Sequence, residues 1–232
     1  MQIDLNKLER ILPTVRKPGR YVGGEVNSVV KDWAETPTRV CLAFPDIYDL
    51  GMSNLGMMIL YRILNDLPGV LAERAYLPWV DMIAAMEEAR IPLYSLESKR
   101  PLADFDVLGI TLPYEQVYTN ALEMLDLAAI PPRSADRHRH HPLIVAGGHA
   151  TFNPEPMGPF IDAFIIGDGE DAIVELVEAY RDASDAPREA QLRALARLSG
   201  VYVPRFYDVR YNDVRATDSG RGGTLSTIQT TV

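Results

Sequence analysis

Four short segments carry the residue types that can grip a ligand, and none carries a set that can run a reaction by itself. "PDIYDLGMSNLG" (Pro45–Gly56) offers Asp46, Tyr48, Gly51, Ser53 and Asn54. Its glycines let backbone approach a ligand or a packed helix closely, and Ser53 or Asn54 can cap a helix that starts there. "TLPYEQVYTN" ends an apolar run at Thr111 and Leu112 and continues with Tyr114 and Glu115, aromatic and acidic groups that can wall a planar cofactor or pack as an ordinary helix start. "GGHATFNPEP" sets Gly147 and Gly148 where a Cβ would obstruct a flat group, with His149 and Thr151 just behind. A tight turn needing positive φ is the alternative for that pair, and a surface position the alternative for His149. "GDGE" (Gly167–Glu170) turns into a helix whose first acids complement its dipole, while the free N–H groups of the same turn can hold polar ligand groups.

Several reactive patterns are missing. There is no GxxxxGK[ST], no GxGxxG after the first strand, no GxSxG and no HExxH. The one cysteine, Cys41, lies inside an apolar run, so no disulfide framework and no Cys-based metal or iron–sulfur site can be assembled by this chain alone. The chain reads as a holder of something, with no catalytic residue and no metal ligand set. The net charge of −9 opposes nucleic-acid binding. No run of about 18 apolar residues marks a membrane span, and the N-terminus lacks a signal peptide's apolar centre, so a cytoplasmic protein is expected. The His-rich insert "PPRSADRHRHHP" (Pro131–Pro142) reads as an exposed loop on the edge opposite the ligand loops, a metal patch being the alternative.

The elements that must position these loops follow from periodicity. Apolar runs at Arg39–Phe44, Val70–Leu77, Pro92–Leu96, Asp106–Leu112, Pro142–Gly148 and Asp162–Gly167 predict strands. Amphipathic stretches at Ser53–Asp66, Val80–Ala89, Glu115–Ala128, Glu170–Arg181 and Arg188–Leu198 predict helices. Alternation of the two predicts an α/β fold with a doubly wound, mostly parallel sheet, whose ligand edge lies beyond the strand carboxyl ends. Near-continuous apolar runs such as "LIVAG" say that both faces are covered. Residues 1–36 read as an N-terminal helix and arm, 37–183 as the α/β domain, and 184–232 as a C-terminal helix, a strand and a flexible tail.

Asp46-x-Tyr48-x-x-Gly51, then Thr111-Leu112, then Gly147-Gly148 resemble the cobalamin-binding module, which reads Asp-x-His-x-x-Gly, Ser-x-Leu and Gly-Gly at these places. Longer blocks, among them "YVGGEVNSVVKD", "CLAFPDIYDLGMSNLGMMILYRILND", "VLGITLPYEQVYTNALEMLDLA", "VAGGHATFNPEPM" and "IIGDGE", resemble the N-terminal region of a family of cobalamin-binding-type radical SAM proteins of uncharacterised substrate, from about Tyr21 to Tyr207. The resemblance implies a cobalamin-binding, flavodoxin-like fold that presents a corrinoid to a radical SAM domain in cis or in trans, which acts on an unknown substrate. It implies that the Asp46–Gly56 loop lies beside the corrin's lower face, that Thr111–Glu115 and Gly147–Thr151 line the edge, and that Gly167–Glu170 close it. Tyr48 stands where the family's His ligates cobalt, so cobalamin would bind without a His lower ligand. CxxxCxxC is absent, which assigns the iron–sulfur cluster and SAM to a separate downstream domain. The rival readings are a degenerate docking or scaffold module and a flavodoxin-like domain holding another small ligand. A bulky residue at Gly148 is expected to block the site.

Overall fold

The computed structural model describes residues 2–211 and 225–230. Strands β1 (Thr38–Phe44), β2 (Val70–Tyr76), β3 (Val107–Thr111), β4 (Leu143–Gly147), β5 (Ala163–Ile165) and β6 (Val201–Tyr202) form one sheet in the order β2-β1-β3-β4-β5-β6. The first five are parallel, and β6 closes the far edge antiparallel to β5. The order 2-1-3-4-5 reverses direction between β1 and β3, which creates a crevice at the carboxyl ends of those strands.

Side-chain alternation sorts the sheet into two cores. Cys41, Ala43, Leu108, Ile110, Ile144 and Ala146 face one side, under α1 (Leu5–Ile11), α4 (Val80–Ala89) and α5 (Tyr118–Leu127). Val40, Leu42, Phe44, Val107, Val145 and Ile165 face the other, under α3 (Leu55–Asp66), α6 (Gly169–Asp182) and α7 (Arg188–Leu195). Because right-handed crossovers to opposite sides of β1 land on opposite faces, α3 and α4 are separated by the sheet. The connection from β4 to β5 has no α-helix and runs through the 3₁₀ turns His149–Phe152 and Glu155–Met157.

The expected doubly wound α/β class is what the chain adopts, with three differences in detail. "PLYSL" (Pro92–Leu96) is not a strand of the sheet and makes only an isolated Tyr94–Pro101 bridge. It runs beside the β2 edge, where side chains take the backbone groups that a strand would need. Asn65 bonds both N–H and C=O of Ala72 at 3.1 and 3.0 Å, and Glu97 accepts the Arg74 N–H at 2.8 Å, leaving one strand-like bond, Leu96 N to Arg74 O. Such side-chain cover also guards an edge against pairing with another chain. The Ser53–Asp66 helix begins at Leu55 and is preceded by a separate turn, α2 (Tyr48–Gly51). The tail expected to be flexible includes β8 (Leu225–Thr230), paired antiparallel with β7 (Tyr207–Tyr211); its remainder lies outside the described residues.

Two buried ionic networks tie the periphery down. Arg74, on β2, pairs with Glu97 at 2.8 Å and with Glu25 of the N-terminal arm at 3.0 Å, and its guanidinium lies 4.7 Å from the Tyr61 ring centroid. The Tyr61 hydroxyl accepts the Val29 N–H at 2.7 Å, so the arm is held to both β2 and α3. Asp162, before β5, sits between Arg137 of the His-rich insert at 3.2 Å and Arg188 of α7 at 2.7 Å. The oxygen that meets Arg188 also accepts the Ile144 N–H, so one carboxylate ties the insert, α7 and β4 together. Removing it leaves two buried cations without a counter-charge. Asp162→Ala should therefore lose about 3–5 kcal/mol in urea denaturation, far more than the exposed-pair substitution Glu189→Ala.

Candidate functional site

Two helices begin at the carboxyl edge and frame a gap. Asn54 caps α3, its side-chain oxygen accepting the Met57 N–H at 2.9 Å. Asp168 sits at the N-cap of α6, but its side chain makes no capping bond. Between the two helix starts, over β3 and β4, lies a cavity of about 210 Å³. Its walls are Leu42, Met57, Leu60, Val145, Ile165 and Ile173, and its mouth carries Asn54, Thr111, Asp168 and Glu170.

The cavity exists because glycines stand where side chains would fill it. Gly109 in β3 and Gly147 at the end of β4 lie on the face beneath α3 and α6, and Gly56, Gly148, Gly167 and Gly169 complete the rim. A Cβ built on Gly147 meets nothing within 4 Å, and Gly147 does not have a positive φ. Neither backbone geometry nor packing demands glycine there, so its effect is to keep the space open. Gly148 is the opposite case: at φ 109 and ψ 177 its backbone suits glycine alone, and a Cβ would fall 2.7 Å from the Leu112 carbonyl oxygen. The tight-turn reading holds for Gly148 and the open-space reading for Gly147: a bulky residue at Gly147 would fill the cavity, and one at Gly148 would strain the turn.

The other predicted residues separate into those at the cavity and those that build the edge. Asn54, Thr111, Gly147, Gly148, Gly167, Asp168, Gly169 and Glu170 line it. Asp46 is spent on the turn, its carboxylate accepting the Ile47 N–H at 2.7 Å. Gly51 lets α2 rest on the aromatic rings below, since a Cβ would lie 2.5 Å from Tyr76 and 2.9 Å from Phe44. Ser53 bonds back to the Leu50 carbonyl, and Leu112 is buried with its N–H on Gly147 O at 2.7 Å. Thr151, expected at the edge, is fully buried and bonds Gly148 O and Ile165 O at 2.7 and 3.0 Å, locking the glycine turn to β5. Tyr114, Glu115 and His149 are exposed and do not line the cavity, with His149 beside the Phe152 ring.

Tyr48 turns away from the cavity. Its ring packs edge-on against Tyr76 at 5.3 Å, and its hydroxyl meets Glu25 of the arm; burial and then that carboxylate push the phenol pKa up. Beside it Asp49 pairs with Arg20 and Lys17, and the hydrogen bond from Arg20 leads in holding the Asp49 carboxyl down at about 2. Leu50, Met52, Leu55, Trp79, Tyr114 and Phe152, from four successive post-strand loops, leave apolar surface exposed around the same edge, Leu55 and Phe152 at 72% and 69%. Gly109, Leu42, Met57 and Leu60 are lining residues that loop-by-loop reading leaves out. Only Gly109 carried a signal, a lone glycine inside an apolar strand, which often marks a close approach.

The chain is thus an open, doubly wound α/β domain with a cavity at the carboxyl ends of its strands, the place where sheets of this class commonly bind ligands. The family described as radical SAM proteins, N-terminal, matches residues 56–204, which is more than half of the chain, and the chain belongs to it. Over 103 residues, 43% of the chain, it is 26% identical to the uncharacterized protein MJ0966 of Methanocaldococcus jannaschii; it spans 22% of that protein's length. No solved structure matches. Among the described residues no group of three or more His, Cys, Asp or Glu is arranged to hold a metal ion, and no helix is long and apolar enough to cross a membrane.

The two neighbouring glycines make a sharp contrast. Gly147→Ala should change stability by no more than about 0.5 kcal/mol. Gly148→Ala should lose at least the roughly 1–3 kcal/mol of a forced backbone conformation. Paired urea melts read both.

Proposed function

We propose that this chain is a corrinoid-holding module of a radical SAM protein, presenting the cofactor at its carboxyl edge to a radical SAM domain supplied in cis or in trans. The observation that carries the reading is the cavity kept open by Gly147. At about 210 Å³ it is too small for a corrin and of a size for one flat ring system. Cobalamin offers both parts, a macrocycle to lie across the exposed apolar edge and a pendant base to enter between α3 and α6. When bound, a corrinoid supplies group-transfer chemistry at cobalt.

This chain's residues would hold the cofactor by its periphery. Asn54 and Thr111 offer polar groups at the mouth, Gly109 and Gly147 the floor, and Leu50, Met52 and Leu55 apolar contact beside it. Tyr48, packed on Tyr76 and engaged with Glu25, is not placed to ligate a metal above the edge. The single cysteine is buried in β1, so an iron–sulfur cluster and SAM belong to the partnering radical SAM domain. A lone buried thiol also suits the reducing cytoplasm, where we place the protein. The inward turn of Tyr48 favours a second reading, a docking module that no longer binds the cofactor.

Hydroxocobalamin mixed with the purified chain and desalted separates the two. The corrin absorbance should stay with the wild-type protein and with Tyr48→Phe, and should be lost from Gly147→Val while that variant still melts cooperatively. A colourless wild-type protein overturns the corrinoid reading in favour of docking.

A further inference from the structure

The charge pattern of the cavity says which kind of ring it accepts. Its interior is apolar, and no Lys, Arg or His stands among its lining residues. Asp168 and Glu170 stand at the mouth. Neither has an ion-pair partner among the described residues. The N-terminus of α6 would ordinarily attract an anion through its dipole. Here Asp168, Glu170 and Asp171 crowd that terminus and oppose any incoming negative charge. A phosphate placed there would lose water and meet carboxylates, with no cation to replace its solvation.

The glycine floor suits a flat group lying on backbone. We infer that the cavity takes an uncharged, flat nitrogen heterocycle and that Asp168 and Glu170 select against anionic ligands. This rests on the cavity being the ligand site proposed above. Any phosphate on such a ligand stays outside the mouth, in solvent.

Adenosine and adenosine 5′-monophosphate are suitable probes, followed by amide chemical shifts of Gly109, Gly147 and Gly167 in the full chain. Adenosine should shift these amides, and the monophosphate should bind at least about tenfold more weakly, the scale that one or two like-charge contacts near a surface produce. In Asp168→Asn combined with Glu170→Gln that gap should shrink at least about threefold, because the repulsion is gone. A monophosphate that binds as well as adenosine, or a gap unchanged in the double variant, overturns the inference. Silence of these amides toward adenosine, with hydroxocobalamin still retained, overturns it while leaving the corrinoid reading intact. Loss of both binding events overturns both.

Discussion

The direction reversal between β1 and β3 is the constraint from which the site follows. After β1 the chain moves to β2 on one side, and after β2 it moves back past β1 to β3 on the other. Handedness then sends α3 to one face of the sheet and α4 and α5 to the opposite face. The face bearing α3 is not covered again until α6 arrives after β5. Beneath the starts of α3 and α6, β3 and β4 present Gly109 and Gly147 instead of branched side chains. Elsewhere the sheet fills itself with Val, Leu, Ile and Phe. The opening is therefore topology plus two missing side chains, and the backbone would tolerate a larger residue at Gly147.

Stability and site are distributed differently. The ionic networks lie at the sheet margins, Arg74 with Glu97 and Glu25 at the β2 edge, and Asp162 with Arg137 and Arg188 near β5. Pairs this deeply buried do not necessarily stabilise more than a hydrophobic substitute, because desolvation offsets their attraction. What they do supply is uniqueness of docking for segments with little apolar surface of their own. The arm from Tyr21 to Lys31 leaves Val26 and Val30 exposed; its middle is located by Glu25, Ser28 and Val29 contacting Arg74 and Tyr61, and its ends by buried Tyr21 and by Lys31 on the Asn65 and Val70 carbonyls. By contrast, Asp168 and Glu170 at the cavity mouth have no ion-pair partner among the described residues.

Much of this was legible in the sequence because parallel strands and their helices have distinct periods. The five parallel strands and all the principal helices lie where their patterns predict, within a residue or a few. Four Gly- and Asn-bearing loops do converge on one edge, and membership of the radical SAM N-terminal family agrees with the blocks that lie within residues 56–204. What could not be read is instructive. "PLYSL" has a strand's pattern, but whether such a run joins a sheet depends on Asn65 and Glu97, distant residues that occupy the β2 edge first. Leu42, Met57 and Leu60 look like any core residue, and only the absence of a neighbour opposite them makes a cavity wall. Gly147 and Gly148 are the same letter twice, yet one is required by a positive φ and the other by nothing local.

Tyr48 shows most clearly how the fold decides where a residue picked out by a sequence pattern ends up. Aligned by sequence it stands at the head of the edge loop, where the resembling module has its metal-binding imidazole. In the fold the loop coils into α2, Gly51 lets that turn settle onto Tyr76 and Phe44, and the phenol is carried inward toward Glu25. Glu25 in turn contacts Arg74, so the loop becomes continuous with the arm's anchorage. A side chain so engaged must break a hydrogen bond and a ring contact before it can reach above the edge, a cost comparable with the whole net value of either interaction. On the corrinoid reading, affinity then has to come from surface complementarity and from the ring held between α3 and α6. The side of the cofactor turned toward this domain would be left without a ligand from the edge loop.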